Sequence, residues 1–120
     1  MKKALIVEDS QTDLHIMSSC LGKNGFEVVE ATNHQEALAK LQEQLFNLIV
    51  LDVVLPDRSG FELCRQLKQE EATSKIPIVM CSTKSSDLDK FWGMKQGADA
   101  YVTKPIDTEE LSRTLQQVVK

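Results

Sequence analysis

Six side chains stand where an apolar run of this sequence ends or breaks. Glu8 and Asp9 follow the run 4–7, Asp52 interrupts the run 48–55, Ser82 and Thr83 follow 76–81, and Lys104 follows 100–103. Carboxylates brought together repel one another unless a cation joins them. An all-oxygen ligand set with room left for water suits Mg²⁺ or Mn²⁺. Asp52 has Leu51 on one side and Val53-Val54-Leu55 on the other. An acid in such surroundings is costly unless a partner answers its charge. Lys104 offers one positive charge and the cation a second, while Ser82 adds a hydroxyl donor. Such a set attracts a phosphoryl group. Asp52 can then attack phosphorus as a carboxylate nucleophile and form an acyl phosphate. Positive charge around the phosphoryl oxygens, with Lys104 and Ser82, would stabilise the loose transition state.

For this chemistry the residues must converge, and the periodicity says how. The runs 4–7, 28–31, 48–55, 76–81 and 100–103 are short and rich in Val, Ile and Leu. They read as strands buried on both faces. Amphipathic stretches lie between them. Ser10 with Asp13 opens the first, Leu14, Met17 and Leu21 form its stripe, and Asn24-Gly25 ends it. Asn33 with Glu36 opens the second, with Leu38, Leu41 and Leu45 inward. Ser59-Gly60-Phe61-Glu62 has the pattern of a capping box for the third. Ser86 with Asp89 opens the fourth, where Leu88 and Trp92 sit at core spacing and Gly97 is the stop. Asp107 with Glu110 opens the fifth, with Leu111, Leu115, Val118 and Val119 inward.

Strict strand–helix alternation predicts an α/β fold, a (βα)5 doubly wound parallel sheet of strand order 2-1-3-4-5. In such a sheet the ligand site lies at the carboxyl ends of the strands, where the six residues fall. The 120 residues, 42% hydrophobic and 27% charged, predict one domain over 1–120 with no attached output module. A net charge of -4 without a Lys/Arg cluster argues against direct nucleic-acid binding. No apolar run approaches the ~20 residues that a bilayer helix needs, and the run 4–7 is too short for a signal peptide. Cys20, Cys64 and Cys81 form no metal-binding spacing and read as buried hydrophobes in a reducing cytoplasm. His15 and His34 fall among polar residues and read as surface.

Glu8-Asp9, Asp52, the Pro56-Asp57-Arg58-Ser59-Gly60 loop, Ser82 and Tyr101-Val102-Thr103-Lys104-Pro105, in this order, resemble the receiver domain of two-component response regulators. The resemblance covers essentially the whole chain and implies a CheY-like, flavodoxin-like fold. It implies that Asp52 is the phosphoacceptor for a histidine kinase. It also implies that Asp9, Asp52, the Val54 backbone carbonyl and, largely through water, Glu8 hold the cation. Lys104 would pair with the phosphoryl group, and the Lys104-Pro105 peptide bond would be cis. Ser82 and Tyr101 would form the switch, changing the face made by the fourth helix, fifth strand and fifth helix. A downstream protein would dock there, with the domain a monomer or a phosphorylation-dependent dimer. The stretch Phe91-Trp92-Gly93-Met94-Lys95-Gln96-Gly97-Ala98 is similar to stand-alone regulators of type IV pilus twitching systems, the PilH/PilG type.

Two positions depart from the common receiver pattern. Thr83 follows the hydroxyl residue where Ala is frequent, and Val54 offers no side-chain hydrogen bond to an attacking water. Enzyme readings on a similar fold fare worse. A dehalogenase-type phosphatase wants an acid where Val54 stands, a flavin carrier wants a phosphate-binding loop where Glu8-Asp9 stand, and no P-loop is present. A phosphate-independent binding module, or a phosphate sink, is the alternative within the same family.

Overall fold

The computed structural model describes residues 1–119. Five strands and five helices alternate: β1 (Lys2–Val7), α1 (Gln11–Lys23), β2 (Phe26–Ala31), α2 (His34–Glu43), β3 (Leu48–Leu51), α3 (Gly60–Gln69), β4 (Ile78–Ser82), α4 (Asp87–Lys95), β5 (Ala100–Thr103) and α5 (Thr108–Val118). All four pairings are parallel and the order is β2-β1-β3-β4-β5. This is the doubly wound sheet that the sequence predicts.

Alternation along the strands splits the core into two layers. Leu5, Val7, Ile49, Leu51, Ile78 and Met80 face Leu63, Cys64 and Leu67 of α3. Ala4, Ile6, Val50, Val79, Cys81 and Val102 face Leu14, Met17 and Leu21 of α1 and Leu111 and Leu115 of α5. The interior strands are therefore buried on both faces, which is why they read as continuous apolar runs. All three cysteines are free and buried. Burial pushes the Cys81 thiol up to about 12 and the Cys64 thiol up to about 11, so neither is a thiolate at neutral pH.

Several expectations are corrected. Asp52 does not interrupt β3 but follows it, because the strand ends at Leu51. Its N–H still bonds to the Val7 carbonyl at 3.1 Å, and the chain then turns away. Leu45 points outward: α2 ends at Glu43 with an extended Gln44, the helical phase is lost, and Phe46 takes the buried place. Ser59 caps α3 through the Phe61 N–H, but Glu62 pairs with Arg58 and does not complete a box. His34 is buried, with neither ring nitrogen hydrogen-bonded among the described residues. Trp92 is not core. Leu88, Phe91, Trp92 and Met94 are all exposed. The helix approaches the sheet through Gly93, where a Cβ would meet the Tyr101 ring at 2.8 Å and the Met80 sulfur at 3.0 Å.

Candidate functional site

The carboxyl ends of β1, β3, β4 and β5 bring the predicted residues to one edge of the sheet. Glu8 and Asp9 leave β1, Glu8 fully buried and Asp9 exposed. Asp52 is 5% exposed at the end of β3. One carboxylate oxygen from each of Glu8, Asp9 and Asp52 lies within 4.8 Å of the others. Three hard oxygen donors in that space, with a fourth acid nearby, carry more negative charge than one lysine neutralises. That donor set fits a divalent cation of the Mg²⁺ class. The Val54 carbonyl accepts no hydrogen bond among the described residues, which leaves it free to join them.

Asp52 is oriented from both sides. Its Oδ1 accepts the Val54 N–H at 3.0 Å, and its Oδ2 accepts from Lys104 Nζ at 2.8 Å. The turn after it is held where the Gly60 N–H bonds to the Val53 carbonyl at 2.8 Å. Only glycine fits there, since a Cβ on Gly60 would lie 2.0 Å from the Asp52 carbonyl oxygen. The loop between Asp52 and α3 is tied down at Asp57, whose carboxylate accepts the His34 and Gln35 N–H groups at the start of α2. Partial desolvation of this exposed group would raise its carboxyl, but these backbone bonds outweigh it and hold it below its ordinary value.

Lys104 leaves β5 with its side chain 7% exposed. Its Nζ meets Glu8 Oε1 at 2.7 Å, Asp52 Oδ2 at 2.8 Å and Asp13 Oδ2 at 2.9 Å. Burial alone would lower its pKa. The carboxylates of Asp52, Glu8 and Asp13, which accept from and pair with its ammonium, outweigh that and hold it well above the usual lysine range. Burial raises the Glu8 carboxyl even though Lys104 and the Ser10 N–H bond to it. The Lys104-Pro105 bond is cis.

Ser82 ends β4, fully buried, and its Oγ accepts the Lys84 N–H at 3.2 Å. Tyr101 pairs with Met80 across β4 and β5, and its hydroxyl donates to the Lys84 carbonyl. Burial, with the Asp89 charge second, pushes its phenol up to about 12. Thr83 is exposed. The residue that sequence reasoning missed is Asp13. It was legible only as an acid in the first turn of α1, and nothing local links it to a lysine in β5.

This geometry agrees with the family comparison. Residues 4–116 match the model of the response regulator receiver domain. The chain belongs to that family. Receiver domains are the regulatory modules of two-component systems. The chain is 37% identical over 119 residues to protein PilH of Pseudomonas aeruginosa, across 99% of this chain and 98% of PilH. It is 40% identical over 119 residues to the phosphate regulon transcriptional regulatory protein PhoB of the same organism, of which it spans 52%. Among solved structures, the chemotaxis response regulator CheY4 of Vibrio cholerae is 36% identical, with a TM-score of 0.91 over 99% of both chains. A beryllofluoride-activated DrrB receiver domain is 33% identical, with a TM-score of 0.89 over 98% of this chain and 97% of that one. No described helix is long and apolar enough to cross a membrane.

Proposed function

We propose that Asp52 is the phosphoacceptor of this receiver and that a histidine kinase is its donor. The observation that carries this reading is the Asp52 carboxylate, buried beside two other acids yet paired to Lys104 at 2.8 Å. Glu8, Asp9, Asp52 and the Val54 carbonyl would hold the cation. When bound, Mg²⁺ or Mn²⁺ supplies positive charge to the transferring phosphoryl oxygens. An oxygen of Asp52 attacks the phosphorus of a phosphohistidine. The O–P bond forms as the P–N bond breaks, and the electron pair returns to the imidazole nitrogen. Lys104 transfers a hydrogen bond from the carboxylate to a phosphoryl oxygen, and Ser82 moves to donate a second. The ring of Tyr101 follows Ser82, and the face of α4, β5 and α5 changes shape for a docking partner.

The exposed Leu88, Phe91 and Trp92 on α4 support docking of a downstream target protein on that face, with the receiver a monomer or a phosphorylation-dependent dimer. The near full-length similarity to PilH supports a chemotaxis-like pathway controlling type IV pilus motility, with the receiver itself acting in the cytoplasm. Phosphotransfer tests the reading. A labelled histidine kinase should lose label to the wild-type chain and not to Asp52→Asn. Label on the variant would reassign the acceptor.

A further inference from the structure

Lys104 Nζ donates hydrogen bonds to Glu8 and Asp52 at 2.7 and 2.8 Å, and the Asp13 carboxylate is its third ion-pair partner at 2.9 Å. Glu8 and Asp52 belong to the trio that could hold a cation, and Asp13 does not. Among the described residues Lys104 is the one cation paired with Asp13. The two therefore answer each other in a way that no cation at the trio replaces.

Asp13 is held in place by the chain that leads out of β1. The Ser10 N–H bonds to Glu8 Oε2 at 3.0 Å, and Ser10 Oγ in turn accepts the Asp13 N–H at 3.3 Å. The first turn of α1 thus sets the Asp13 carboxylate over the ammonium. Its side chain is 26% exposed, against 7% for Lys104, so the pair lies at the mouth of the site. The shared ammonium keeps Asp13 within about 6 Å of Asp52 Oδ2, near enough for its charge to be felt there.

A phosphoryl group on Asp52 brings new acceptor oxygens and added negative charge to the same ammonium. When Lys104 passes its Asp52 bond to a phosphoryl oxygen, Asp13 still holds the same ammonium, so the carboxylate and the phosphoryl group share one positive charge. We propose that Asp13 is a positioning residue that competes with the phosphoryl oxygens for Lys104 and so biases the receiver toward its unphosphorylated state. The inference rests on the reading of Asp52 as the acceptor. Removing the Asp13 charge loosens its hold on the ammonium and removes one repulsion, and both effects favour the phosphorylated form.

Beryllofluoride, which binds an acceptor carboxylate as a phosphoryl mimic, tests this without a covalent step. The full chain, Asp13→Asn and Asp13→Glu are titrated with beryllofluoride at saturating Mg²⁺, and thermal unfolding checks that each is folded. Asp13→Asn should bind about 3- to 10-fold more tightly, the scale of a partly exposed charge-assisted bond. Asp13→Glu keeps the charge and should stay near wild type. Loosening of α1 alone would weaken binding in Asp13→Asn. Equal or weaker binding by Asp13→Asn overturns the proposal, as does equal tightening by Asp13→Glu. A wild-type chain that neither binds beryllofluoride nor accepts phosphate from acetyl phosphate fails at the acceptor reading instead. A second readout follows the acyl phosphate after the donor is removed, and it should decay several-fold more slowly in Asp13→Asn.

Discussion

The Tyr101 hydroxyl donates its hydrogen bond to the backbone carbonyl of Lys84, whose own N–H donates to Ser82 Oγ. One residue of the loop after β4 therefore joins the two proposed switch positions, although they lie on different strands. On the proposed switch, movement of Ser82 toward Asp52 would break the Lys84 N–H bond and free the loop to which Tyr101 is tied. A phosphoryl group can shift this arrangement only if one state binds it better, and the Ser82 hydroxyl would provide that differential contact.

Ser82→Ala removes the contact and keeps the acceptor. The variant should still be phosphorylated, while the gain in partner affinity on phosphorylation falls. Coupling of this kind is typically ~1–3 kcal/mol, so the lost gain is about 5- to 150-fold. Partner affinity with and without beryllofluoride checks it, and an unchanged ratio in the variant would remove Ser82 from the relay.

Gly60→Ala should damage the site through the backbone. Its Cβ would lie 2.0 Å from the Asp52 carbonyl oxygen and 2.6 Å from Leu51 Cδ1, so the turn that orients Asp52 must shift. The expected cost is about 1–3 kcal/mol of stability, the range for overpacking a tight site. Slower phosphorylation should accompany it. Urea unfolding and acetyl phosphate kinetics measure the two, and a variant with native stability and rate would show that the turn relaxes freely.

Asp57 predicts a pH dependence. Its folded pKa lies below its ordinary value of 3.8, so the unfolded chain binds the proton more readily. The stabilisation is therefore fully present above the ordinary value and is lost as pH falls through the lowered one. The group is exposed, so the effect is small. Asp57→Asn should lower the melting temperature at pH 7 and narrow its difference from wild type in strong acid. A difference that is constant with pH would show that the α2 latch does not depend on the charge.

Magnesium should bind weakly, because three carboxylates and a carbonyl do not close a cage. Asp9→Asn should weaken it several-fold, and amide shifts near the ends of β1 and β3 report the titration. Equal affinity in the variant would remove Asp9 from the ligand set.

The sequence carried the fold because each buried strand is a continuous apolar run and each helix has a cap within reach of its own residues. Ser10, Asn33, Ser86 and Asp107 all cap as their local spacing predicts. The candidate site was legible because its residues stand where those runs end. Other features depend on distant partners. Asp13 meets Lys104 across 91 positions of sequence, and Asp57 reaches α2 from the far side of β3. Trp92 keeps helical spacing from Leu88, but the α4 surface that meets the sheet is set by Gly93 against Tyr101. Leu45 followed the helical period beyond the point where the helix stops.

Locating the phosphoryl group tests the central claim most directly. The chain is incubated with Mg²⁺ and acetyl phosphate, the acyl phosphate is reduced with borohydride, and the peptides are mapped by mass. Reduction converts a phosphorylated aspartate to homoserine and leaves free carboxylates unchanged. Homoserine at position 52 in the wild type, and none in an Asp52→Asn chain that is folded and at least as stable, is the predicted result. Homoserine at Asp9 or Asp13, or no modified residue in a chain that binds Mg²⁺, would contradict it.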